Sequence, residues 1–212
     1  ICPILYATLA HRGYFDKKKL STLRAFGTNL HGHPHNLALP GIENSSGPLG
    51  QGLSQGIGMA LAARLDGKNY QTYVVGSDGE LQEGQIWEAA MFAAKNKLSN
   101  LTWIIDRNNI QIDGHTEDVM PVEPLREKLE AFNWQVIEID GHNVEEISSA
   151  CSKSRAIFGR PTVIIAHTIP GKGVDFMQYK FEWHGKPPNK EEARIALNQL
   201  RSLEGKIKSE NE

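Results

Sequence analysis

Four short apolar runs recur from residue 71 onward: Gln71–Ser77 (QTYVVGS), Leu101–Asp106 (LTWIID), Trp134–Asp140 (WQVIEID) and Pro161–His167 (PTVIIAH). Each is too short for a helix and too continuously apolar for a strand with one wet face, so each suits a strand buried on both sides. Between them lie stretches with helical spacing, Gln82–Asn96, Pro124–Phe132 and Val144–Phe158. Strands alternating with helices predict an α/β fold, a doubly wound, mostly parallel sheet with helices on both faces.

The rest of the chain fits around that beat. Pro3–His11 has helical spacing with proline in its first turn. Asp16 is a good N-cap for a second helix, with Leu20, Leu23 and Phe26 as its apolar stripe and Gly27 as its stop. Asn29–Gly47 has no period and is rich in His, Pro, Gly and Asn, which predicts a long loop of the kind that carries function. Pro48–Leu65 reads as helix, and its glycines at 50, 52, 56 and 58 point to close backbone approach. Residues from Thr168 to Pro188 are polar and Gly/Pro-rich, and Lys190–Leu203 is a last helix. We expect one domain over residues 1–205 and a frayed charged tail over 206–212. The chain opens on ICPILYATLAHRGYF, without Met and already helical in pattern, which reads as a chain whose start is missing.

Bulk properties narrow the function classes. A net charge of −2 over 212 residues supplies no basic field for nucleic acid or an anionic membrane. Cys2 and Cys151 match no metal spacing and read as reduced, buried small hydrophobes, so a cytoplasmic, reducing compartment is expected.

In open α/β sheets ligands bind beyond the carboxyl ends of the strands. The segments there are GSDGE, RNNIQIDG, GHN and TIPGKG. The first brings Asp78 to the end of a buried strand, where an acid is costly unless something positive meets it. The second brings Asn108 and Asn109 to the neighbouring strand end. A carboxylate and an amide oxygen are hard ligands, suited to Mg²⁺ or Ca²⁺ and the phosphate oxygens such ions bridge. Gly79 would let the backbone pass close to a diphosphate, with the following helix N-terminus adding its dipole. Taken alone, DG and NN are also ordinary turn dipeptides.

The stretch GSDGELQEGQIWEAAMFAAKNKLSNLTWIIDRNN resembles the thiamine diphosphate fingerprint, which begins GDG and ends NN. GPLGQGLSQGIGMALA, IDGHTE, DGHN and EWHGKPPN narrow the resemblance to transketolase, and to the N-terminal subunit of split transketolases. The resemblance implies thiamine diphosphate as cofactor, with Mg²⁺ (or Ca²⁺) held by Asp78, the Asn108 side chain and the Ile110 carbonyl. It places Gly79 and Glu80 beside the diphosphate, and Gly47 and Leu49 against the aminopyrimidine. It makes Glu83 and Glu88 acids of a proton network at a subunit interface, and puts His33 and His184 at the reacting centre. It further implies sugar phosphate substrates, self-association across a two-fold, and a partner, the C-terminal transketolase subunit carrying the pyrimidine-binding domain. The sequence departs from the fingerprint at Ser77, where the first glycine would stand.

The alternating histidines His31, His33 and His35 lack a fourth ligand at zinc spacing, and only His33 fits the motif. Rival readings are another thiamine diphosphate enzyme, of the 1-deoxyxylulose-5-phosphate synthase or 2-oxo acid dehydrogenase type, or a noncatalytic cofactor-binding subunit. A nicotinamide-binding site is disfavoured, because GSDGE puts an acid where that pyrophosphate turn needs bare backbone.

Overall fold

The computed structural model of the chain describes residues 1–202. The predicted tail and the last residue of the predicted final helix lie outside the described residues. The chain divides into two compact units, Ile1–Leu49 and the remainder from Gly50.

In the first unit, α1 (Cys2–His11) carries Pro3 in its first turn, as its sequence requires. Its Tyr6 packs with Leu30, Leu39 and Ile42 into a small core of its own. The predicted second helix is cut short. Asp16 does cap it, accepting from Lys18 N at 2.9 Å, but only a 3₁₀ turn over Lys17–Thr22 follows. The hydroxyls of Ser21 and Thr22 donate back to the Lys18 and Lys19 carbonyls, offering the backbone an alternative to continued helix. Arg24 then adopts a positive φ of 60°, and Phe26 stands fully exposed instead of closing an apolar stripe. The stretch from Asn29 to Gly47 is loop as expected, tied to α1 by the Tyr6 hydroxyl donating to His31 O at 2.8 Å.

The second unit opens with α2 (Gln51–Leu65) and β1 (Thr72–Ser77), then α3 (Gly84–Lys95) and β2 (Leu101–Arg107). A two-residue hairpin, β3 (Ile110–Gln111) and β4 (Gly114–His115), leads into the single turn α4 (Thr116–Val119) and then α5 (Leu125–Ala131). β5 (Gln135–Asp140), α6 (Val144–Ser154), β6 (Thr162–His167) and α7 (Lys190–Ser202) complete it. The main sheet has the order β1-β2-β6-β5, and every neighbouring pair is parallel. The connections that run toward the β5 edge carry α3 and α5, and the return from β5 to β6 carries α6. Right-handed crossovers then require α6 on the opposite face.

Side-chain alternation bears this out. Trp103, Ile105, Val163 and Val136 face one way and pack with α2, α3 and α5. Ile104, Ile164, Ala166 and Ile139 face the other way and meet Ala150 and Ile147 of α6. Burial on both faces holds for β2 and β6 but not for β1, an edge strand whose Tyr73 and Val75 are exposed. Of the glycines read as sites of close approach, Gly56 is one. A Cβ there would stand 2.2 Å from Val74 Cγ2, so α2 lies directly against β1. Gly58 faces open space. Both cysteines are free and half-buried where buried thiols were expected, Cys2 packing against the Tyr6 core and Cys151, within α6, against the cluster of Ile139 and Ile164.

Candidate functional site

Asp78 follows β1 directly and has no exposed surface. Its Oδ1 accepts from Gly79 N at 2.7 Å, and its Oδ2 accepts from Asn109 N at 2.6 Å and from Arg107 Nη1 at 2.8 Å. The positive group that meets this acid within the chain is therefore Arg107, the last residue of β2. Sequence reading missed it; the available signal was an arginine directly before Asn108, at the end of a buried strand. Arg107 is itself 3% exposed and also donates to Glu117 and Glu123. Burial pushes the Asp78 carboxyl above its ordinary pKa, against the pull of Arg107 and of the Asn109 and Gly79 N–H groups. All three contacts use the side chain as acceptor. Glu117 moves the other way. Burial raises it, but the Val122 and Glu123 N–H groups and Arg107 bring it below its usual value.

The second strand end folds onto the first. Asn108 Oδ1 accepts from Ile110 N at 3.0 Å, and its Nδ2 donates to Asp106 Oδ2 at 3.1 Å. Asp106 in turn accepts from the Thr168 hydroxyl, which follows β6. Asn109 has φ 65°, which turns the chain so that its N–H reaches Asp78. A Cβ on Gly79 would stand 2.9 Å from Gln111 Cβ and 3.9 Å from Ile110 O, so only glycine lets the two turns approach this closely.

These residues fit a divalent cation and the diphosphate it would bridge. Asp78, Asn108 and Ile110 offer a carboxylate, an amide oxygen and a main-chain carbonyl, three hard donors. Asp78 Oδ1 and Asn108 Oδ1 each accept one protein hydrogen bond and retain a lone pair. Asp78, Glu117 and Glu123 share the Arg107 guanidinium, and Asp106 stands beside Asn108, an excess of negative charge that a dication would offset. No group of three or more His, Cys, Asp or Glu among the described residues could hold a metal ion.

The other expected residues fall into separate groups. His33 and Gly47 meet within the first unit: Gly47 has φ 129°, and a Cβ there would stand 2.8 Å from His33 Cγ. Leu49 ends that unit, exposed. Glu80 Oε1 accepts from Gly50 N at 2.8 Å. Glu83 is the N-cap of α3 and Glu88 lies within it, both with exposed side chains. His184 is exposed at the end of the 3₁₀ turn Phe181–Trp183, and among the described residues no hydrogen bond joins its side chain to the Asp78 network. His142 accepts from Ile169 N at Nε2, 2.8 Å, and helps hold the loop after β6.

Comparison with known proteins identifies the family. Residues 1–203 match the family described as "Transketolase, thiamine diphosphate binding domain". An apulose-4-phosphate transketolase subunit of Phocaeicola vulgatus is 42% identical over 207 residues, spanning 98% of this chain and 73% of that protein. The 6-deoxy-6-sulfo-D-fructose transketolase subunit SqwG of Clostridium sp. is 43% identical over 198 residues, spanning 93% of this chain and 72% of that protein. The crystal structure of transketolase from Campylobacter jejuni superposes with a TM-score of 0.87 at 32% identity, covering 93% of this chain and 32% of that one. The chain thus spans about a third of that longer transketolase. It belongs to the transketolase thiamine diphosphate-binding domain family.

Proposed function

We propose that this chain is the diphosphate-binding subunit of a split transketolase, moving a two-carbon ketol unit from a ketose phosphate to an aldose phosphate. The observation that carries the reading is the convergence of Asp78, Asn108 and Ile110 at adjacent strand ends. In this reading they hold Mg²⁺ (or Ca²⁺), which anchors the diphosphate. Gly79 leaves the backbone open to it, and Gly47 and Leu49 lie against the aminopyrimidine. Thiamine diphosphate, when bound, supplies the electron sink for carbon–carbon cleavage. The protein's share is binding, orientation and proton transfer, with His33 and His184 donating to and accepting from sugar hydroxyls near neutral pH. Glu83 and Glu88 belong to a proton network across a two-fold contact between copies. The partner is a C-terminal subunit carrying the pyrimidine-binding domain, in a cytoplasmic assembly with two copies of each.

That two relatives are named as transketolase subunits acting on different sugars supports the subunit reading and leaves the sugar pair open. The test is a ketol-transfer assay on the chain alone and after co-expression with the neighbouring open reading frame. Turnover is expected only from the pair. Robust turnover by the single chain would contradict the division of the site. Turnover lost in His33→Ala and His184→Ala pairs would support the proton-transfer roles.

A further inference from the structure

Glu80 is part-buried, and both of its carboxylate oxygens have a definite place. Oε1 accepts the Gly50 N–H at 2.8 Å. Oε2 lies so close over β1 that a Cβ on Gly76 would stand 2.6 Å from it. Gly50 is the N-cap of α2, in the left-handed region at φ 80°, and has no side-chain cap of its own. In a capping box, a glutamate three residues inside the helix reaches back to the N-cap N–H. Here that acceptor comes from another element, the turn that also carries Asp78.

Neighbouring contacts reinforce it. A Cβ on Gly50 would stand 2.9 Å from Glu83 Cβ, so the helix start is pressed onto this turn. Gln51 Nε2 donates to Gln85 Oε1 at 2.7 Å, and Gln85 Nε2 donates to Ser54 Oγ at 3.0 Å. Two glycines are thereby explained by one carboxylate and its neighbour: Gly76 makes room for the Glu80 head, and Gly50 lets the helix start reach it.

We propose that Glu80 is a positioning residue, a borrowed N-cap that locks the start of α2 to the turn carrying Asp78 and Gly79 and so holds that turn in the form that cofactor binding uses. The functional half of this inference rests on the reading of the site given above. Glu80 acts through Gly50, and needs no contact with the diphosphate to do so.

The experiment combines amide hydrogen exchange on the chain with titration of thiamine diphosphate in Mg²⁺. It compares wild type, Glu80→Ala, Glu80→Gln and Gly76→Ala, with thermal unfolding as a control on folding. Loss of a hydrogen bond to a charged acceptor corresponds to about tenfold or more in an equilibrium. Glu80→Ala should accelerate Gly50 exchange by about that factor and weaken cofactor binding by a similar one. Glu80→Gln, which keeps an acceptor oxygen, should restore both. Gly76→Ala should reproduce the defect with Glu80 intact, because its methyl would stand 2.6 Å from Oε2, and it would also press on Trp103 Nε1 at 3.0 Å. Unchanged Gly50 exchange in Glu80→Ala would overturn the clamp. Faster exchange with unchanged cofactor affinity would overturn its functional role. If wild type fails to bind the cofactor, the site reading falls and takes the functional half of the proposal with it. The exchange arm then still shows whether the clamp itself exists.

Discussion

Asp78 carries a charge into a place with no exposed surface, and Arg107 answers it at 2.8 Å. A buried pair of this kind contributes little over an apolar replacement of both partners, but breaking one side is costly, about 3–5 kcal/mol. Arg107→Met should therefore lower unfolding stability by about that amount, measured by urea denaturation. A loss below about 1 kcal/mol would mean that Asp78 is satisfied without its guanidinium. The same residue shows where sequence reading stopped. That the turns of Asp78–Gly79 and Asn108–Asn109 come together was legible, because strand ends of a parallel sheet converge; Ile110 entered only through the resemblance. Arg107 was not legible, because a cation after an apolar strand reads as strand-end punctuation until the neighbouring acids are placed in space. Glu117 and Glu123 lay hidden for a related reason: the hairpin and single turn that deliver them are too short to show a period.

At the scale of elements, α2 and β1 touch through Gly56. Alanine is the better helix former by about 1 kcal/mol, but overpacking a tight contact costs about 1–3 kcal/mol. With a Cβ only 2.2 Å from Val74 Cγ2, the steric cost should win, and Gly56→Ala should unfold at lower urea. A gain in stability would show that β1 yields easily. Glu138 on β5 joins two other elements, accepting from Arg126 of α5 at 2.8 Å and meeting His167 Nε2 of β6 at 2.9 Å. Arg126 first, and His167 next, hold its carboxyl below the ordinary value. A depressed carboxylate contributes stability above its unfolded pKa of about 4.3, and that contribution is lost as pH falls through the folded value. The urea-midpoint gap between wild type and Glu138→Gln should thus be present near neutral pH and close on acidification below that range. A gap that persists in acid would exclude the ion pair as its source. The side chain is exposed, so the gap should be small.

These elements also show what period and composition can and cannot fix. The four strands and the helices between them came from apolar runs and helical spacing, each end shifting by a few residues at most except in α6. The helix expected after Asp16 failed because Ser21 and Thr22 turn their hydroxyls onto the backbone, an effect of local hydrogen bonding that an apolar stripe does not report. The exposed face of β1 was likewise unreadable, since YVV looks the same at an edge as in the middle of a sheet.

At the scale of the whole molecule, the fold and family place this chain among transketolase thiamine diphosphate-binding domains, and the open question is what its strand ends hold. Calorimetric titration of thiamine diphosphate into wild type and Asp78→Ala, each with Mg²⁺ and with a chelator, separates the possibilities. Asp78, Asn108 and Ile110 acting together through a dication predict saturable binding that needs the metal and is lost in Asp78→Ala. Binding of equal strength in the chelator, or in Asp78→Ala, would contradict a metal-bridged diphosphate at this pair of strand ends.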